Sequence, residues 1–472
     1  MSKGFLFLAV CALFTISCGS GERPVTRLFP VKVGAQYGYI DRTGNMAIPP
    51  HFLKAACFSG GLALVFAADS LWGYVAEDGS YAITPSWGSA TSFSEGLAFV
   101  AAADGAPSAI DKKGVVQFTL DSAASVENFS DGLAAFSVLT TGGEHWGFID
   151  KQGKTMIAPA YGAIGYFSEG MCGVMNDSGQ WGYINKKGET IIPFRYSNVY
   201  PFTGKHARVA VKGRWGIIDK QGNDVLTPQY ADIDIDGDRY LVKTGDKWGW
   251  LDKEGKTIIA PQYSNAFPYS GSALAAVKQG DKWGYIDAAG KVVIQPQFTL
   301  AFVFDGDMAL VQQKDKYGFI DKAGKFVMPP TFDNISLDYF VSSLARTSAY
   351  YSLKSNKNTP SIVAWRWLGS FYRLEYDDAK KLSTEDTRTM LASLSHLAGM
   401  VTDSSRKELD GVVPGIKEVK EDGDRAIVTY TMSDAPGKDQ LLFLVRKEGR
   451  WLVQFSKNDL TDPKKADTAS VQ

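Results

Sequence analysis

From residue 28 to residue 340, short apolar runs alternate with polar, glycine-bearing breaks, and no stretch sustains a helical period. Trp283-Gly284-Tyr285-Ile286-Asp287 alternates faces in steps of two and predicts a short strand. Asp287-Ala288-Ala289-Gly290 predicts a tight hairpin in which glycine supplies the positive φ, and Lys291-Val292-Val293-Ile294 predicts the return strand. Pro296 stops that strand because it cannot donate to the ladder. A stretch of the form Phe-Ser-acid-Gly, as in Phe93-Ser94-Glu95-Gly96 and Phe167-Ser168-Glu169-Gly170, predicts a second turn. A further strand such as Leu274-Ala275-Ala276-Val277 then leads to the next unit, so the predicted unit is three antiparallel strands.

The unit recurs. An aromatic-Gly pair stands at Tyr37, Trp72, Trp146, Trp181, Trp215, Trp248, Trp283 and Tyr317, and a degenerate copy sits at Pro107-Ser108. The spacing is about 35 residues, in the range of stacked-repeat architectures. A glycine follows six residues after each pair, from Gly44 to Gly324, then usually a proline, then an aromatic such as Phe52, Tyr161 or Tyr263. A unit this small cannot bury its own apolar face, so neighbours must stack. The first unit starts and the last ends at the same phase, leaving no predicted strand over to close a ring by exchange. The expected fold is mainly β: a nine-unit antiparallel β-repeat array, open or superhelical, with a propeller-like ring as the alternative.

Repeat spacing ends after Phe332, and residues 341–360 predict a linker, polar from Ser352 to Pro360. From Ser361 the period turns helical, with Ile362, Trp365, Leu368, Phe371, Tyr376 and Ala379 on one face. A second helix is predicted over 384–401, with Ser383 or Thr384 as its cap and Glu385 and Asp386 near its positive end. Strands follow over 416–420, 426–432, 440–446 and 451–456, turning at Asp422-Gly423 and Glu448-Gly449. This gives a small α+β domain over 361–457 and a polar tail over 458–472.

Three resemblances add expectations. Lys247-Trp248-Gly249 and Lys282-Trp283-Gly284, with the phased copies over residues 28–340, resemble the WG-repeat (KWG) family of bacterial envelope proteins, which implies protein or ligand binding with no common activity. The two helices and the strands carrying Gly423-Asp424-Arg425-Ala426-Ile427-Val428 and Lys447-Glu448-Gly449-Arg450-Trp451-Leu452-Val453 resemble the cystatin-like cone of the nuclear-transport-factor-two-like superfamily. That implies a pocketed domain that binds more often than it catalyses. At the N-terminus, Lys3 precedes an apolar run from Phe5 to Ile16, a signal-peptide pattern over 1–17 that is shorter than the roughly 20 residues a membrane span needs. Thr15-Ile16-Ser17-Cys18 resembles a lipoprotein lipobox. The resemblance implies lipidation at Cys18, a tether over 18–27 and, because Gly19 is not Asp, an outer-membrane destination.

Composition narrows the function classes. Lys+Arg is 50 against Asp+Glu 51, a net charge of -1, which excludes a bulk nucleic-acid binder. With only 4 His, a His-based metal or catalytic centre is not expected, and His396 reads as an ordinary helix residue. Cys57 and Cys172 lie three repeats apart and read as unpaired buried thiols.

Asp232, Asp234, Asp236 and Asp238 alternate with Ile233, Ile235 and Gly237 like the first half of a calcium loop, although Lys243 stands where the twelfth-position Glu belongs. Calcium is the one candidate cofactor, and a solvated acidic turn is the alternative. The Asp that follows the aromatic strand (Asp41, Asp111, Asp150, Asp219, Asp252, Asp287, Asp321) is expected to bond its own turn. Trp72, Trp146, Trp181, Trp215, Trp248 and Trp283 are expected to be repeat core rather than a sugar-stacking strip. Arg214, Lys247, Lys282 and Lys316 precede the pair only in copies six to nine, as a basic ridge or simply solvated turns. No catalytic triad and no phosphate-cradling loop is present in the sequence pattern. The expected function is therefore a lipid-anchored, non-catalytic envelope scaffold for protein partners, with an envelope glycan or small ligand as the alternative and membrane contact through the anchor only.

Overall fold

The computed structural model describes residues 28–103, 105–140, 143–335, 353–354, 359–372, 374–398, 414–432 and 438–455. Cys18 lies outside them. The fold is mainly β, as expected, and the repeats form nine separate antiparallel sheets, or blades.

Each blade has four strands rather than the predicted three. In blade five they are Ala163–Ile164, Met171–Met175, Trp181–Asn185 and Thr190–Tyr196. The unpredicted strand is the first, often only two residues long, and it lies just before the Phe-Ser-acid-Gly turn. That turn is a two-residue hairpin. Ser94 and Leu97 exchange both backbone hydrogen bonds, at 2.8 and 3.1 Å. Glu95 and Gly96 then lie at φ 52 and 93, the positive values whose twist matches that of the flanking strands.

Counting the first strand overturns the preference for an open array. The described chain enters blade one at its second strand, Leu28–Val33, so one first strand is left over at the far end of the repeats. That strand, Asn334–Ile335, pairs antiparallel with Leu28–Val33, with Val31 opposite Ile335 and Lys32 opposite Asn334. The array closes into a propeller-like ring of individual blades. Apolar packing continues across the closure: Phe29, Val31 and Ile40 share one core with Phe319 and Met328.

Two marks are explained by the seams between blades. A Cβ on the turn glycine would press on an aliphatic or aromatic side chain of the preceding blade: Gly79 on Ile48, Gly153 on Phe118, Gly290 on Ile259 and, across the closure, Gly44 on Met328 at 2.8 Å. The prolines fall on the fourth strand, an edge strand, where a missing N–H also discourages sheet-to-sheet association.

The C-terminal domain has helices α1 (Pro360–Tyr372), α2 (Tyr376–Lys381) and α3 (Glu385–Ala398) and a meander of Pro414–Asp422, Arg425–Met432, Gln440–Lys447 and Arg450–Gln454. The single long helical face is broken between α1 and α2, and Trp367 rather than Trp365 is its buried tryptophan. Trp367 donates its indole N–H to Ser383 Oγ at 2.8 Å. Thr387 Oγ1 accepts from Phe455 N at 2.9 Å, tying α3 to the sheet. The His396 side chain lies outside the described residues. Inside the predicted linker, Leu353–Lys354 forms a fifth strand on the Ser125–Val126 edge of blade four. The domain meets the same blade, where an added Cβ at Gly415 would lie 3.7 Å from Gly143 N. No helix among the described residues is long and apolar enough to cross a membrane.

Candidate functional site

The repeat marks place their side chains in the scaffold. In each aromatic-Gly pair the aromatic faces the later aromatic across the sheet: Tyr37 opposite Phe52, Trp72 opposite Trp87, Trp181 opposite Tyr196 and Trp248 opposite Tyr263. Between these partners the fourth strand slips register and its backbone bulges onto the third. A Cβ on Gly249 would sit 2.4 Å from Ile259 O and 2.6 Å from Pro261 N, and Gly38, Gly73, Gly147, Gly182, Gly216, Gly284 and Gly318 are equally crowded. Glycine is required there by close backbone approach. The degenerate copy has lost glycine, proline and this bulge together, since Ser108 pairs Thr119 and Ala109 pairs Phe118 in regular register. Of the six tryptophans expected in the core, Trp248 and Trp283 are buried, while Trp72, Trp146, Trp181 and Trp215 are half-buried along the seams.

The recurring aspartates bond their own turns. Asp287 Oδ1 accepts from Ala289 N at 3.0 Å and Lys291 N at 2.9 Å, and Asp41, Asp111, Asp150, Asp219, Asp252 and Asp321 repeat the pattern.

The Phe-Ser-acid-Gly turns interlock from blade to blade. Ser59 donates to Phe93 O, Ser94 to Phe129 O, Ser130 to Phe167 O and Ser168 to Phe202 O, all at 2.6–2.8 Å. Each motif acid accepts from the next motif's glycine, Asp131 from Gly170 N at 2.7 Å and Glu169 from Gly204 N at 2.6 Å. Lysines close the links: Lys151 to Glu95, Lys186 to Asp131 and Lys220 to Glu169.

The aspartate run does not form a calcium loop. Asp232–Asp236 is the first strand of blade seven, paired with Arg239–Thr244, and only Gly237 and Asp238 are turn residues. Along this strand the carboxylates find different neighbours. Asp234 turns to blade six, where Arg208 Nη1 lies 3.6 Å away and also donates to Ile233 O at 2.7 Å. Asp236 turns to blade eight and accepts from Tyr269 N at 2.9 Å and Ser270 N at 3.0 Å, besides Trp250 Nε1 at 3.1 Å. Burial nevertheless pushes the Asp232 and Asp236 carboxyls above their ordinary value. Among the described residues no group of three or more His, Cys, Asp or Glu is placed to hold a metal ion.

Two seam residues carry no repeat mark and escaped the sequence reading. Arg208, 4% exposed, stacks its guanidinium 3.8 Å above the Tyr200 ring and pairs with Asp234, 2% exposed. Its only signal was a cation inside the apolar run His206–Val211. Glu127, 7% exposed, follows the first strand of blade four. Burial, and then neighbouring Glu144, push its carboxyl well above the ordinary value. Glu144 in turn accepts from Ser137 Oγ at 2.6 Å and Ser125 Oγ at 3.3 Å. Cys172 is buried, Cys57 is half-buried, and among the described residues neither forms a disulfide.

The arrangement can therefore hold a rigid ring and present its connecting turns. Those turns are not alike around the ring. The turns between second and third strands carry Lys212 and Arg214 in blade six, Lys247 in blade seven, Lys282 in blade eight and Lys314 and Lys316 in blade nine. The corresponding stretches of blades two to five, 67–71, 102–107, 140–145 and 176–180, contain neither Lys nor Arg.

Compared with known proteins, the family described as WG containing repeat matches residues 37–66, 72–101, 146–178, 181–215, 215–248, 248–283, 283–317 and 317–347, more than half of the chain. The stretch between residues 101 and 146 that these matches skip includes the degenerate copy and the first strand of blade four, on which Leu353–Lys354 pairs. No curated protein matches. Among solved structures, BamB from Moraxella catarrhalis is 12% identical, covering 55% of this chain and 93% of that one at a TM-score of 0.35. AztD from Citrobacter koseri is 13% identical, covering 65% and 96% at 0.33. The dihydro-heme d1 dehydrogenase NirN is 14% identical, covering 67% and 75% at 0.39. None of these three carries an argument about ligand or partner.

Proposed function

Because the chain belongs to the WG containing repeat family, we propose that its ring is a non-catalytic scaffold for protein partners, held at the cell envelope by a lipid on Cys18. One observation carries this reading: the repeat marks are occupied in holding blades together, while the turns between second and third strands are exposed and differ from blade to blade. Rigid stacked repeats that present a large surface suit recognition of other proteins. The Cys18 anchor, the outer-membrane destination and a nuclear-transport-factor-two-like role for the C-terminal domain complete the proposal. That domain is held to the ring at blade four and adds a second surface beside it.

In-cell crosslinking of the full chain, read by mass spectrometry, tests the scaffold. Reproducible capture of one or two envelope proteins, lost when the exposed turns are substituted, is the expected result. Retention on purified envelope glycan with no protein captured would replace it with the glycan reading. Metabolic labelling with a fatty acid analogue tests the anchor, and Cys18→Ala should abolish incorporation.

A further inference from the structure

Lys212, Arg214, Lys247, Lys278, Lys282 and Lys314 all belong to the turns between second and third strands of blades six to nine, or to the strand ends beside them. Equivalent turns of a ring project from one face, so these cations form an arc on that face. Five are exposed and Lys278 is half-exposed, and among the described residues none has an ion-pair partner. On the opposite face the hairpin cations Lys151, Lys186 and Lys220 are held by the acids of the interlocking turns. The C-terminal domain meets the arc's own face at blade four, near Gly143, while the cations of blades six to nine stay exposed or half-exposed among the described residues.

We infer that this arc is the docking surface for an acidic protein partner, an inference that rests on the scaffold reading above. Charge complementarity identifies the partner as acidic. The interspersed Asp246, Asp281 and Asp315 favour a protein, which can place both signs to match, over a uniformly anionic glycan or lipid surface, which three aspartates would repel. Leu28, the first described residue, starts its strand opposite Asp41, at the end of blade one away from the arc.

The test uses the full chain and a fluorescent acidic peptide of about 20 residues, glutamates with lysines interspersed so that it carries both signs, as the polypeptide probe, with dextran sulfate and anionic phospholipid vesicles as comparators. Binding should weaken as salt rises. The variant K212E/R214E/K247E/K282E should bind the peptide at least tenfold more weakly. The variant K113E/K187E/K256E/K291E, on the opposite face, should stay within twofold. The neutral set K212Q/R214Q/K247Q/K282Q, checked for an unchanged melting temperature, guards against misfolding and should also lose binding. Failure of the probe to bind, equal losses in both reversal sets, or equal arc-dependent binding of dextran sulfate or vesicles would overturn the inference. If crosslinking still captures an envelope protein while the arc variants bind it unchanged, the scaffold stands and the arc falls.

Discussion

Gly249 lies directly beneath the Ile259 carbonyl, so that a Cβ added to it would stand 2.4 Å from that oxygen. The fourth strand bulges over the third at this point, and Trp248 and Tyr263 frame the crossing. The glycine of the repeat signature is a steric requirement of the blade.

Gly249→Ala should therefore destabilise by about 1–3 kcal/mol, the usual range for forcing atoms into a packed site. Ser108→Gly, at the equivalent position of the blade that lacks this bulge, should lose only about 0.5–1 kcal/mol, the ordinary strand penalty of glycine. Chemical denaturation of both variants checks the contrast. Equal losses would mean that the bulge does not set the requirement.

Arg208→Met should destabilise by about 3–5 kcal/mol, because it leaves Asp234 buried without its cation. Arg208→Met combined with Asp234→Leu should recover most of that loss, since both charges are gone. A double-mutant cycle by thermal or urea unfolding measures the coupling, and additive losses would show that the pair is not the unit.

Glu127 has a folded-state pKa raised above its ordinary value of 4.5 by burial and then by Glu144. For a raised group, the stability present below the unfolded pKa is lost as pH rises through the folded one. Glu127→Gln cannot titrate and escapes that loss. It should match the parent near pH 4 and exceed it at neutral pH by on the order of 1 kcal/mol or more. Melting temperatures of both proteins across this range provide the check, and a constant difference would refute the account.

Asp236→Ala should cost about 2–4 kcal/mol, because Trp250 Nε1 and two backbone N–H groups lose a buried acceptor. Asp238→Ala, at an exposed turn position, should stay within about 0.5 kcal/mol. Added calcium should leave the melting temperature of the parent unchanged. A calcium-dependent rise that Asp238→Ala removes would restore the loop reading.

Much of the fold was legible because its marks are local. The turn at Asp287–Gly290 and the strands beside it needed only alternation and the φ freedom of glycine, and the strands of the C-terminal sheet were legible for the same reason. The first strand of each blade was not legible. Ala163–Ile164 is only two residues long, too short for any periodicity to register, and it is a strand only because Met175 and Val174 lie opposite it. The acidic run was misleading for a related reason. Alternating carboxylates look alike in sequence whether a loop gathers them on one ion or separate neighbouring blades take them up, and the seams assign Asp234 to blade six and Asp236 to blade eight.

By itself the sequence determined the repeat, its phase, its hairpins and the places where only glycine or proline serves, because these follow from steric and hydrogen-bonding demands within one unit. Only the tertiary structure decided that the array closes. Closure depends on Asn334–Ile335 finding the open edge of Leu28–Val33 across the whole length of the repeats. The tertiary structure alone also decided which charges are buried and which face outward, since a charge meets its partners only when neighbouring blades stack.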